Sequence, residues 1–111
     1  MPTSDAQSAL AAALDRLWVQ FLPQIRERIE ILEKSAQAFA AGRLTMEQHE
    51  LASAAAHKLA GVLGTFGFTR GTVLARELEI EYARDTGPSP ELAQQLTVAA
   101  AELRAMIDSP K

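Results

Sequence analysis

The sequence contains no cysteine, no excess of positive charge and no long hydrophobic run. Without cysteine, disulfides, thiolate nucleophiles and cysteine-ligated zinc are excluded. The 11 basic residues face 14 acidic ones and form no cluster, whereas a nucleic-acid partner calls for a concentrated cationic face. No apolar run approaches the ~20 residues of a membrane-spanning helix, and no basic segment opens the chain as in a signal peptide. We therefore expect a cytoplasmic domain with no nucleic-acid or membrane partner.

The composition that remains is typical of one compact helical domain. Of the 111 residues, 48% are hydrophobic and 23% are charged, and alanine, leucine and glutamate dominate. A chain of this length has room for one core only, so residues 1–111 are expected to form a single domain. The polar ends of the sequence fit a stand-alone protein and a piece of a larger protein equally well.

Start and stop signals along the chain predict five helices. The predicted spans are about 5–22, 24–41, 46–66, 70–85 and 90–108. Pro23 ends or kinks the first helix, because proline lacks the N–H that a helix interior needs, and the second span is predicted to begin after it. Thr45 and Gln48 form a capping box before the third, and Ser89 followed by Pro90 begins the last. Short connections make consecutive helices antiparallel neighbours. We predict an all-α fold, an antiparallel up-down four-helix bundle with an additional N-terminal helix across one end.

His57 lies on the third predicted helix, opposite its apolar stripe. At about 100° per residue, one sector holds the residues expected to face the core: Leu51, Ala55, Leu59, Val62, Leu63 and Phe66. His57 lies almost diametrically across the helix, so a buried core histidine is not expected. An exposed histidine without a role is the simpler alternative.

The neighbours of His57 favour a functional interpretation. Its face carries only small residues, which we call the cleared face: Ser53, Ala54, Ala60, Gly61 and Gly64. An idle helix surface usually carries long charged or amide side chains, and each helical glycine costs roughly 0.5–1 kcal/mol relative to alanine. A neutral imidazole is available near pH 7 and is a good nucleophile. The pattern predicts a protein-docking face with a nucleophile at its centre.

The stretch AHKLAGVLGTFGFTRGTVLARELE, Ala56 to Glu79, resembles the histidine-containing phosphotransfer (HPt) domains. The family pattern has a histidine, a hydrophobic residue two positions on, a glycine four positions on, a glycine that ends the helix, and a leucine-rich helix closing in Leu-Glu. The matching residues are His57, Leu59, Gly61, Gly67, Leu74, Leu78 and Glu79. The run from Gly64 to Phe68 is similar to the phosphorylated domain of chemotaxis-type histidine kinases.

The resemblance implies a phosphocarrier and not an enzyme. Such a domain accepts a phosphoryl group on its histidine, here His57, from a histidine kinase or a response-regulator receiver domain, and donates it to another receiver during transient docking. The receiver supplies Mg²⁺ and the acidic cluster, so this chain is expected to hold no metal or cofactor and to act as a monomer. Glu79 matches the family carboxylate that binds the inner imidazole nitrogen and leaves the outer nitrogen free to attack.

One position departs from the family pattern. The family commonly has a lysine three residues after the histidine, where this chain has Ala60. Lys58 and Arg76 are the alternative candidates for contacting the phosphoryl oxygens, since both carry flexible cationic side chains. The missing lysine also motivates a second hypothesis, a non-phosphorylated helical adaptor that binds a receiver or kinase without transfer.

Three other residues, His49, Trp18 and Gly71, are expected to have structural roles. His49 lies two turns before His57, at the edge of the core sector, and the two do not have the i, i+4 spacing of a metal pair. Trp18 flanks the apolar stripe of the first predicted helix. Gly71 either permits a close helix approach or marks where a helix starts.

Overall fold

Four helices make up the described part of the chain. The computed structural model describes residues 2–84, 87 and 89–109, and side chains from residue 6 onward within those ranges. The helices are α1 (Pro2–Ala40), α2 (Met46–Thr65), α3 (Thr69–Ala83) and α4 (Pro90–Asp108), and the described ranges contain no strand. The all-α fold class is therefore confirmed. None of these helices has the length and hydropathy needed to cross a membrane.

The first two predicted helices are a single helix. α1 runs through Pro23 without interruption, so the predicted break is wrong, and the stretch predicted as a separate N-terminal helix is the first half of α1. A proline inside a helix costs about 3 kcal/mol or more. Apolar residues on both sides of Pro23, among them Trp18, Leu22 and Ile25, pack on the same core. The burial of these residues offsets the cost of the proline. A local sequence signal contains no information about that burial.

The predicted caps of the later helices are confirmed. The hydroxyl of Thr45 accepts a hydrogen bond from the Gln48 N–H at 3.1 Å, and the Gln48 side chain accepts one from the Thr45 N–H at 2.8 Å. Ser89 caps α4, accepting from the backbone N–H of Leu92 at 3.2 Å. The observed bounds of α2 to α4 lie close to the predicted ones. Asp85, the predicted end of the fourth span, lies outside the described residues.

A tight turn at Gly67 sets α3 beside α2. Gly67 has φ 81°, a left-handed conformation that glycine adopts without strain. The Phe68 N–H donates to the Leu63 carbonyl at 2.9 Å and the Gly67 N–H to the Gly64 carbonyl at 3.2 Å, which is the Schellman pattern. The Trp18 ring stacks on Phe68 with centroids 5.0 Å apart. Trp18 is thus a packing residue, as predicted.

The helices pack around one core. α1 contacts α2 and α4, α2 contacts α3, and α3 contacts α4. The largest fully buried side chains are Ile25, Ile29, Leu32, Leu59, Leu63, Tyr82 and Leu103. Burial of one such side chain contributes about 1.5–3 kcal/mol. α1 is much longer than its partners, and Leu10 and Leu17 in its first half remain 62% and 43% exposed.

The buried side of α2 is rotated from the predicted sector toward α3. Its buried residues are Ala52, Ala55, Ala56, Leu59, Ala60 and Leu63. Leu51 is 56% exposed and Ala60 only 4%, so the predictions that Leu51 faces the core and that Ala60 belongs to the cleared face are wrong. Four of the six buried residues are alanines, and Ser53 and Ala60 on this side of α2 are bonded to α3. A wheel centred on the large apolar residues misplaces that boundary.

Gly71 permits the close approach of α3 to its neighbours. A Cβ at this position would lie 3.0 Å from Leu63 Cδ1 and 3.4 Å from Met106 Sδ. Both distances are at or below ordinary van der Waals contact, and Gly71 is buried. The first of the two interpretations of this glycine is therefore the correct one.

Replacing Tyr82 with phenylalanine is expected to stabilise the protein. The Tyr82 hydroxyl is buried and has no hydrogen-bond partner among the described residues, and an unsatisfied buried polar group costs about 1–3 kcal/mol. Burial also raises the pKa of Tyr82, so the native state resists ionisation of the phenol. Below the unfolded pKa of about 10 the phenol is neutral in both states. Above it the unfolded chain ionises more readily than the native protein, so the parent protein loses stability as pH rises.

Urea unfolding of Tyr82→Phe and the parent protein at pH 7 and pH 10.5 checks this expectation. The variant should be the more stable at pH 7, and its advantage should widen at pH 10.5. A variant clearly less stable at pH 7 would contradict it, because the hydroxyl would then contribute a favourable bond.

Candidate functional site

His57 stands on the outer side of α2, as predicted. Its side chain is 73% exposed, whereas Ala56 beside it in the sequence and Leu59 on the opposite side of the helix are fully buried. The buried side fixes the rotation of α2 about its axis. The imidazole is therefore held in solvent by the packing of its neighbours.

Glu79 of α3 holds the inner nitrogen of that imidazole. Its Oε2 lies 2.8 Å from His57 Nδ1, and its side chain is 32% exposed. An ionised carboxylate can only accept hydrogen bonds, so in the neutral ring this contact favours the tautomer with the proton on Nδ1 and the lone pair on Nε2. The pairing expected from the family resemblance is therefore present. It leaves the outer nitrogen in the form that can act as a nucleophile.

Two hydroxyl groups connect α2 and α3 on either side of this pair. Ser53 Oγ donates to the backbone carbonyl of Glu79 at 3.1 Å. Thr72 Oγ1 donates to the backbone carbonyl of Ala60 at 3.3 Å. Ser53, predicted as a docking residue, is half-buried and bonded to α3. Its location on the side of α2 nearest α3 was not evident from the sequence.

Three of the five residues predicted to form the cleared face are exposed in the structure. Ala54, Gly61 and Gly64 are exposed. A Cβ on Gly61 would meet no atom within 4 Å, and one on Gly64 would only touch Thr72 Oγ1 at 3.4 Å. Packing within the domain therefore does not require glycine at Gly61. The surface of α2 on the C-terminal side of His57 is therefore exposed and free of long side chains.

A groove of about 480 Å³ lies on the other side of His57. His57 and Glu79 line it together with Lys58, Arg84 and the exposed Met46. Lys58, a predicted phosphoryl contact, is thus brought to the site. Arg76, the other predicted contact, is exposed on α3 but does not line this groove.

Arg84 is a cation of this groove that the sequence did not single out. It follows the last residue of α3, and its Nη1 lies 3.4 Å from Glu81 Oε1. No motif marks it, because its place at the groove depends on where α3 ends. A helical wheel of α3 could have placed it only with the helix end already known.

His49 has a packing role. Its Nδ1 lies 3.1 Å from the carbonyl oxygen of Tyr82, and its ring meets Phe39 and Tyr82 edge to face. Within the described ranges, no group of three His, Asp or Glu residues is arranged to hold a metal ion. The two histidines therefore occupy different environments, one half-buried and one open.

Comparison with known proteins identifies related sequences. A family model described as the Hpt domain matches residues 16–109. Protein RcaC of Microchaete diplosiphon is 38% identical over 76 residues, which are 68% of this chain and 12% of RcaC. The chain thus spans a small part of that relative. No solved structure matches it.

Proposed function

Because the chain belongs to the Hpt domain family, we propose that it is a phosphorelay carrier that holds a phosphoryl group on Nε2 of His57. The observation that carries this proposal is the exposed imidazole whose Nδ1 is bonded to Glu79 at 2.8 Å. A histidine that only packs, such as His49, has neither this exposure nor a carboxylate on its inner nitrogen.

The transfer step uses both nitrogens of the ring. The Nε2 lone pair attacks the phosphorus of an aspartyl phosphate on a receiver domain, and the bond from phosphorus to the aspartate oxygen breaks. The aspartate leaves as a carboxylate, and the Nδ1 proton remains in place. Glu79 then faces a positively charged ring, which its carboxylate stabilises across a charge-assisted hydrogen bond. Return of the phosphoryl group to a second receiver reverses these bond changes.

The domain itself is proposed to be a carrier and not an enzyme. His57 and Glu79 supply a nucleophile and its orientation, and the remaining groups come from the partner. A receiver domain is proposed to bring Mg²⁺ and its own acidic residues to the shared interface, or a histidine kinase to bring its nucleotide site. The domain is further proposed to need no cofactor, to act as a monomer and to reside in the cytoplasm.

Charge support for the phosphoryl group is assigned to Lys58, with Arg84 as a second contributor. Both line the groove beside His57. Lys58 is adjacent to His57 in sequence, and its flexible stem can extend along the surface toward Nε2. Arg76, predicted as a phosphoryl contact, lies outside this groove; because it is exposed on the same helix as Glu79, it is now proposed to contact the docked partner instead.

We also propose the finer arrangement of the helices, an antiparallel four-helix bundle. Three bonds between α2 and α3 support it: His49 to Tyr82, Ser53 to Glu79 and Ala60 to Thr72. Later positions on α2 pair with earlier positions on α3. The short Gly67 turn between the two helices requires the same direction reversal.

A transfer assay tests the proposed function. The protein is incubated with radiolabelled phosphoryl donors, namely receiver domains and histidine kinases of the source organism. Label that is stable in alkali and labile in acid is expected on this chain, since phosphohistidine has that stability. Absence of label with every donor would instead favour the non-phosphorylated adaptor.

Substitutions at Gly61 are expected to separate folding from docking. Gly61→Ala adds a methyl group in open space and should raise the free energy of unfolding by about 0.5–1 kcal/mol. Gly61→Gln should keep most of that gain, yet place a long side chain one turn from His57. We therefore expect slower transfer for Gly61→Gln than for Gly61→Ala, measured by rate of labelling and by urea unfolding. Equal rates in the two variants would show that this surface is not a docking face.

A further inference from the structure

We propose that Ser53 is a positioning residue for the phosphorylation site, acting with Thr72 to fix α3 against α2 so that the Glu79 carboxylate stays at His57 Nδ1. The proposal rests on the proposed function only in taking His57 as the reacting residue. It assigns a role to a hydroxyl that the docking interpretation of the cleared face left unexplained.

Ser53 and His57 hold the same residue of α3. They are one turn apart on α2, and residues at this spacing lie on one side of a helix. Ser53 Oγ donates to the backbone carbonyl of Glu79 at 3.1 Å, while the Glu79 carboxylate accepts from His57 Nδ1 at 2.8 Å. Glu79 is thereby fixed at its backbone as well as at its side chain. The bond from Ser53 positions the backbone of Glu79, and the bond from His57 positions its carboxylate.

Thr72 supplies a second bond between the two helices, with the donor on α3 and the acceptor on α2. Its hydroxyl belongs to α3 and donates to the Ala60 carbonyl of α2 at 3.3 Å, whereas the Ser53 bond runs from α2 to α3. The two bonds are two helical turns apart on each helix, about 10 Å, and His57 lies between them along α2. A single such bond, added to the core contacts, restrains α3 at one point along its length. Two of them oppose both pivoting and sliding of α3 along α2.

Hydroxyl groups on helices more often bond to their own helix. Thr65, Thr97 and Ser109 each donate to the carbonyl four residues earlier in the chain, a common local arrangement. Ser53 and Thr72 instead reach across to a neighbouring helix, and both do so beside the His57–Glu79 pair. A slide of α3 along α2, at about 1.5 Å per residue, would lengthen and misalign the 2.8 Å contact between the Glu79 carboxylate and Nδ1.

The test is the protonation pattern of the His57 ring in Ser53→Ala. Nitrogen-15 NMR of the imidazole distinguishes the form with the proton on Nδ1 from the form with it on Nε2. We expect Ser53→Ala and Thr72→Ala to shift the population away from the Nδ1–H form and to slow phosphoryl acceptance by roughly 10-fold. Ser53→Thr keeps the hydroxyl and should restore both values.

Ser109→Ala is the matched control, because it removes a serine hydroxyl that donates to the Ala105 carbonyl of α4, far from His57 in the chain. A His57 ring pattern in Ser53→Ala equal to that in Ser109→Ala would overturn the proposal. Alanine favours helix formation, and the backbone amide spectrum reports whether each variant is folded. The ring measurement needs no phosphoryl donor. Failure of the parent protein to accept label would therefore count against the proposed function alone.

Discussion

His57→Gln is expected to abolish phosphoryl acceptance and to leave the fold intact. Glutamine has no nucleophilic nitrogen, since its amide lone pair is delocalised, so no phosphoramidate can form. The side chain of His57 is 73% exposed and contacts Glu79 from outside the core. Its loss should change the free energy of unfolding by no more than about 0.5 kcal/mol. Acid-labile label after incubation with a phosphorylated receiver measures the first effect, and urea unfolding measures the second.

His49→Gln provides the matched control, because it replaces the other histidine of the chain. His49 is packed between Phe39 and Tyr82, so this variant should lose stability and still accept label on His57. Label that persists in His57→Gln would refute the assignment of the phosphoryl group to His57. A folded His49→Gln without label would refute it equally.

Glu79→Gln is expected to slow transfer by roughly 10–100-fold, the usual effect of removing a partner that orients a reactive ligand or side chain. The glutamine has nearly the same shape, but it offers no negative charge to the positively charged ring that forms on phosphorylation. Its amide can also present an N–H to Nδ1, which favours the unproductive ring form with the proton on Nε2. Initial rates of labelling at equal receiver concentration measure the effect.

Glu77→Gln is the control for this substitution. Glu77 is exposed on the same helix and is absent from the groove beside His57. The two variants change the net charge of α3 equally, so a general electrostatic effect on receiver docking would slow both. Equal rates in the two variants would contradict the assigned role of Glu79. The expected result is a large effect at Glu79 and a small one at Glu77.

The exposure of His57 was predictable from α2 alone, whereas its contact with Glu79 was not. A helical wheel needs only the order of apolar residues, and a histidine opposite Leu59 has to face outward. The bond to Glu79 joins residues 22 positions apart, so it depends on the Gly67 turn and on the packing of α3. The family resemblance supplied that pair because it summarises the tertiary arrangement of related chains.

The errors of prediction have a common physical origin. Ala60 and Leu51 were misplaced because four of the six buried residues of α2 are alanines, whose burial a wheel weighted by large residues underestimates. Pro23 was assigned a break because its local cost is evident in the sequence and the burial of Trp18 and Leu22 is not. In each case tertiary packing outweighed a local preference.

The length of α1 gives this helix an uneven stability along its axis. Its 39 residues at about 1.5 Å each account for the 58 Å long dimension of the molecule. In the second half, Ile25, Ile29 and Leu32 are buried in the core, so we expect their amide protons to exchange with solvent mainly when the domain unfolds as a whole. The first half, where Leu10 and Leu17 face water, can open one turn at a time. We expect such fraying to stop at the aromatic contacts of Trp18 with Phe66 and Phe68 and to leave α2, which carries His57, undisturbed.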